Sequence, residues 1–109
     1  MKKVIDGKVY NTETAELVLE WSNGRPISDF KHRSKDLYKT KKGNWFIYHV
    51  GGAMTDMSVS VGSNSWSGSS DIEPISERNA LRFLESHDGA EEAEKYFADQ
   101  IEEAWNRAG

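Results

Sequence analysis

The stretch from Leu37 to Val50, Leu-Tyr-Lys-Thr-Lys-Lys-Gly-Asn-Trp-Phe-Ile-Tyr-His-Val, constrains the fold more than any other in the chain. Aromatic and β-branched residues suit a pleated, half-buried surface, and Lys41-Lys42-Gly43-Asn44 supplies the glycine that a tight turn with positive φ requires. The stretch therefore predicts a β-hairpin. Beyond the turn, Trp45, Ile47 and His49 face one way and Phe46, Tyr48 and Val50 the other, so large apolar groups lie on both sides. A strand of that kind belongs in the middle of a sheet covered on each face.

The flanking segments extend this ribbon. Asp6-Gly7 between Val4-Ile5 and Lys8-Val9-Tyr10 is a strong two-residue hairpin signal, pairing Val4 with Val9. Ala15 to Trp21 alternates, with Ala15, Leu17, Leu19 and Trp21 on one side and Glu16, Val18 and Glu20 on the other. A helix there would leave Leu19 stranded, so strand is the favoured reading. Ser22-Asn23-Gly24-Arg25-Pro26 is turn chemistry, followed by a polar passage in which Phe30 and His32 are the residues able to point inward. Met57 to Val61 reads as one more strand between flexible Gly/Ser-rich flanks, with Trp66 folded back onto the core in preference to standing out as a contact anchor.

From Pro74 the pattern becomes helical. Ser76 is a good N-cap, Ile75 is placed to staple onto Ala80, and Glu77 suits the positive end of the helix dipole. Ala80, Leu81, Leu84 and His87 share a face. Asp88-Gly89 separates this helix from a second one, with Asp88 and Glu91 spaced as a capping box. Ala93, Phe97, Ile101, Ala104, Trp105 and Ala108 then form the stripe of an amphipathic helix running to the end of the chain. The expected fold is α+β: an antiparallel sheet of about four to six strands over residues 3 to 61, in the N-terminal two-thirds, packed against two C-terminal helices. A chain of 109 residues forms one such domain, 1–109.

Charge is unevenly distributed around a net of -4. Between Arg25 and Lys42 seven basic residues face two acids, a local net of +5. From Asp71 onward eleven acids face four basic residues, a local net of -7. Each block reads either as a solvated face or as a surface that steers a charged partner. The acidic candidates are Glu91, Glu94, Asp99, Glu102 and Glu103; the alternative basic patch is Lys31, Arg33, Lys39, Lys41 and Lys42. Lysines along an edge strand also discourage unwanted pairing, which is a purely structural use of the same residues.

Enzymatic tools are not legible. The chain has no cysteine, and His32, His49 and His87 sit in separate segments without a partnering carboxylate pattern. The phosphate-binding glycine spacings are missing around residues 62–70. No catalytic residue, metal or cofactor is expected, and the lack of a signal peptide or long apolar run points to a cytoplasmic protein that does not enter the membrane.

Three segments carry a resemblance: Lys3 to Ala15, the Leu37 to Phe46 hairpin with Gly51-Gly52 after it, and Ile72-Glu73-Pro74-Ile75-Ser76 leading into a helix. Together they resemble small accessory proteins of phages, plasmids and other bacterial mobile elements, some of which are anti-CRISPR proteins. That resemblance implies a non-enzymatic inhibitor or interaction protein acting in the bacterial host cell, with a CRISPR-Cas effector as the protein partner. The alternatives are a small nucleic-acid-binding regulator using residues 31–42, or a structural homodimer built through the last helix.

Overall fold

The computed structural model describes residues 1–62 and 65–101. Eight strands precede two helices: β1 (Lys2–Ile5), β2 (Lys8–Asn11), β3 (Glu16–Ser22), β4 (Arg33–Lys39), β5 (Trp45–Gly51), β6 (Val59–Gly62), β7 (Ser65–Ser67), β8 (Ser69–Ile75), α1 (Glu77–Ser86) and α2 (Ala90–Tyr96). The architecture is α+β, antiparallel throughout, with four strands in the order β3-β4-β5-β8 and two separate two-stranded ribbons, β1-β2 and β6-β7. The expected single sheet over residues 3 to 61 is corrected in two respects. Its strands divide among three sheets, and β8, beyond that range, pairs along the whole of β5 from Trp45↔Ile75 to Gly51↔Ser69.

As its two apolar faces require, β5 is an inner strand. On one side Trp45 and Ile47 join Leu37, Ala80, Phe83, Leu84, Ala93 and Phe97 beneath the helices. On the other, Phe46 is fully buried with Tyr10 and Ile72, and Tyr38 and Tyr48 pack against them. The β1-β2 ribbon covers this second face. Tyr10 meets Phe46 edge-on at 5.5 Å between ring centres, and Tyr38 stacks on the same ring at 5.1 Å. Its turn has the left-handed backbone anticipated for Asp6-Gly7, with φ of 52° and 74°, and Val4 pairs with Val9.

Strand β3 forms where alternation predicts, but a bulge breaks its register between Leu17 and Leu19. One extra residue shifts the pleat, so Val18, Leu19 and Trp21 pack under the helices while Leu17 is left 42% exposed. The expected common face of Ala15, Leu17, Leu19 and Trp21 is therefore divided: Ala15 packs with the Phe46 cluster on the opposite side.

The inward assignments of Phe30 and Trp66 are reversed, while that of His32 holds. His32 is buried and its Nδ1–H donates to the Arg25 carbonyl at 2.7 Å, whereas Phe30 is 66% exposed. A polar side chain with a backbone acceptor in reach can be buried without cost, and that contact closes the 25–32 loop. Trp66, expected to fold back, is 60% exposed on β7, because the β6-β7 ribbon makes no sheet with the central strands and has no core beneath it.

The first helix begins as anticipated, with Ser76 Oγ accepting from the Asn79 amide at 3.1 Å. The second departs from expectation at both ends. Asp88 takes a left-handed conformation, φ 59°, and Gly89 N–H donates to the Leu84 carbonyl, so these residues end α1 and no side chain caps α2. The Asp88–Glu91 capping box does not form. Gly89 sits in a crowded spot: a Cβ there would lie 2.8 Å from Leu84 Cδ2 and 3.1 Å from Leu19 Cδ2, so those side chains would have to shift.

At its other end α2 stops at Tyr96 instead of running through the chain terminus. Phe97 leaves the helix at φ -128°, is 2% exposed and stacks on Trp45 at 5.2 Å; a short 3-10 turn over Ala98–Gln100 follows. Burying one large ring against the sheet outweighs one or two further turns of a solvated helix, whose own stability is marginal. Ala104, Trp105 and Ala108 of the expected stripe lie outside the described residues.

Candidate functional site

The acids and bases singled out in the sequence meet different fates. Arg33 is largely enclosed and forks onto Asp56, Nε to Oδ1 at 2.8 Å and Nη2 to Oδ2 at 3.2 Å. That hydrogen-bonded guanidinium holds the Asp56 carboxyl below its ordinary value. Nη2 also reaches His49 Nδ1 at 2.9 Å, and His49 Nε2 lies 2.8 Å from Glu73 Oε1. Arginine only donates, so Nδ1 accepts and the Nε2–H is directed to Glu73. The carboxylate partner for His49 thus comes from β8. No local spacing reveals it, since β8 meets β5 only through the sheet.

Lys39 extends over the Trp45 ring at 5.4 Å and the Tyr96 ring at 5.5 Å, and Lys35 sits over Trp21 at 5.8 Å. Beside them, burial pushes the Tyr96 hydroxyl up to about 12, with the hydrogen-bonded Glu16 adding to it. Lys31 precedes β4, and Lys41 and Lys42 follow it in the turn at its far end. With β4 between them, Lys31 and Lys41 are separated by the strand's length, on the order of 25 Å at about 3.3 Å per residue. Lys31, Arg33, Lys39, Lys41 and Lys42 are consequently not gathered into one patch.

The acidic residues are better assembled. Glu91, Glu94 and Asp99 are exposed on α2 and the turn after it, and among the described residues the ion pairs involve none of them. Glu102 and Glu103 lie outside the described residues. Between α1 and α2 runs a groove of about 320 Å³ floored by Leu81, Leu84, Ala93 and Ile101, with Glu85, Asp88 and Glu94 among its lining residues. The i, i+4 spacing of Leu81 and Glu85 places a floor residue beside an acid on α1, and α2 contributes Ala93 and Glu94 to the same groove. Sequence reasoning counted Glu85 and Asp88 among the acids without assigning them to the surface. Their place in the groove depends on α1 and α2 lying side by side, which no local spacing reveals.

Of the stripe offered for a homodimer, Ala93 and Phe97 are buried in the chain's own core and Ile101 is partly buried against it. Among the described residues no three His, Cys, Asp or Glu side chains converge to hold a metal ion, and no helix is long and apolar enough to cross a membrane. No protein family, curated protein or solved structure gives a significant match to this chain.

Proposed function

We propose that this chain is a small non-enzymatic interaction protein that receives a positively charged, partly apolar segment of a protein partner in the groove between α1 and α2. The observation that carries this reading is the combination in one place of an apolar floor and a carboxylate rim whose members pair with no described cation. A cationic amphipathic segment satisfies both at once: its apolar side chains leave water on Leu81, Leu84 and Ile101, and its lysines or arginines meet Glu85, Asp88 and Glu94. Long-range attraction from Glu91 and Asp99 would speed its arrival.

The resemblance to mobile-element proteins gives the specific form of the proposal, an inhibitor of a host effector that handles nucleic acid, with CRISPR-Cas effectors as the first partners to test. Such effectors carry basic channels for nucleic acid, to which an acidic protein face is complementary. Reversing Glu85, Glu91 and Glu94 to lysine leaves every buried residue in place, so the variant should fold with an unchanged circular dichroism spectrum. Against purified CRISPR-Cas effectors of the host bacterium, the parent should bind and inhibit, more weakly as salt rises, and the variant should bind at least about tenfold more weakly. Equal binding by the folded variant would overturn the acidic-groove mechanism. Absence of binding to every effector would overturn its anti-CRISPR form.

A further inference from the structure

At the opposite pole of charge lies a second groove, of about 410 Å³, between the Asp6-Gly7 turn of the β1-β2 ribbon and the Thr40–Asn44 turn of the central hairpin. Its chemistry comes from Lys8, Lys41, Lys42, Thr14, Thr40 and Asn44, and no acid lines it. Lys8 is about thirty positions away in sequence from the other two lysines, so the cluster exists only because the ribbon folds across the sheet. None of the three forms an ion pair with a described residue.

The neutral groups are suited to an anion. Thr40 Oγ1 accepts from the Asn44 amide at 2.9 Å, which leaves its own proton to donate outward. The Asn44 side-chain amide and the Thr14 hydroxyl add further donors along the same wall. Glu16 lies opposite Lys39 across the strand pair and lines an adjoining hollow with Lys41, but among the described residues it forms no ion pair with any of the three lysines.

We infer that this groove binds phosphate groups, and that the Lys8–Lys41–Lys42 cluster with Thr40 is the site. Lysines act as mobile point charges for phosphate, while hydroxyl and amide donors fix an oxygen. No aromatic ring lines the groove, so recognition stops at the phosphate and does not extend to a base. The ligand is a phosphate of a nucleic-acid strand or of a free nucleotide. This inference is independent of the acidic groove, which uses other residues at another place.

The test compares the parent with the triple variant Lys8→Gln/Lys41→Gln/Lys42→Gln and with its arginine counterpart, using three probes: a labelled single-stranded oligonucleotide, adenosine monophosphate and inorganic phosphate. The parent should bind at low salt, with amide resonances of residues 40–44 shifting on titration. The glutamine variant should lose about tenfold or more in affinity and the arginine variant should retain it. For the oligonucleotide, log affinity should fall against log salt with a slope of about -2, as expected for three neutralised phosphates on a single strand. Binding of the oligonucleotide alone would identify strand phosphates as the ligand, and saturation by the monophosphate or inorganic phosphate would identify a discrete phosphate site. No binding of any probe by the parent, unchanged binding by the glutamine variant, or shifts confined to other residues would each overturn the inference.

Discussion

The two faces of β5 are covered by unlike means. Trp45 and Ile47 are buried by helices that begin thirty residues further along the chain, in a cluster of eight buried residues. Phe46, one position away, is buried just as completely by a ten-residue ribbon closed through a two-residue turn, with only Tyr10 and Ile72 as buried companions. Both faces are closed by segments at least thirty residues away in sequence; the first cover is a pair of helices, the second a hairpin whose own pairing is local and whose docking rests on aromatic contacts. Charge is divided in the same way: the helices carry carboxylates that pair with no described cation, and the ribbon brings Lys8 to Lys41 and Lys42. Each charged surface is a consequence of how one face of β5 is closed.

The strongest effect lies on the helix face. Phe97→Ala should cost about 3 to 5 kcal/mol, a large part of the roughly 5 to 15 kcal/mol available to a domain. The loss should register as a lower unfolding midpoint and as faster hydrogen exchange throughout β4, β5 and β8. Tyr10→Ala, by contrast, should release residues 2–11 while the central strands keep most of their protection, because the ribbon shares no backbone pairing with them. Equal loss of protection in β5 for both variants would show that the ribbon and the helices form one cooperative unit.

A smaller effect sharpens the helix side alone. Ser76→Ala removes the acceptor for the Asn79 amide and should lower stability by about 1 kcal/mol. Denaturant titration measures it, and a change below about 0.3 kcal/mol would mean that packing of Ile75 and Ala80, not the cap, fixes where α1 starts.

The smallest lies on the ribbon-bearing face, where Glu20 and Asp36 stand directly opposite each other on β3 and β4. Burial, and then the Glu20 charge, raise the Asp36 carboxyl above its ordinary 3.8. The folded chain therefore holds this proton more tightly than the unfolded chain, and the contribution to stability falls as pH rises from 3.8 through the raised value. Asp36→Asn should stabilise the protein at neutral pH by about 0.2 to 1 kcal/mol, the range for relieving like charges across a strand pair. The gain should vanish near about pH 3, where the parent carboxyl is already protonated. Asp56 and Asp71 act in the opposite sense: hydrogen bonds from Arg33 and Lys3 lower them, so their stabilisation is present above the ordinary carboxylate range and lost as pH falls through their lowered values. Melting curves of parent and variant across that window separate the two contributions, and a gain that persisted in acid would remove Asp36 titration as its cause.

The features legible in the chain alone are local. Asp6-Gly7 and Gly43 set two turns, the alternation of Trp45 to Val50 placed β5 between two covered faces, and Ser76 started a helix. In each, the residues involved lie within a few positions of one another, so their φ/ψ preferences act before any tertiary contact exists. The rest follows from contacts between distant segments. The fold placed the bulge at Val18, ended α2 where Phe97 found Trp45, left Trp66 in solvent, gave His49 its carboxylate and separated Lys31 from Lys41. The acidic candidates on α2 were legible as exposed positions, but the groove that Glu94 borders was not, because it is formed by residues of two helices brought together only in the fold. Long-range burial of a single aromatic ring, at roughly 1.5 to 3 kcal/mol, exceeds the few tenths per residue by which local propensities differ, and it settles the outcome wherever the two conflict.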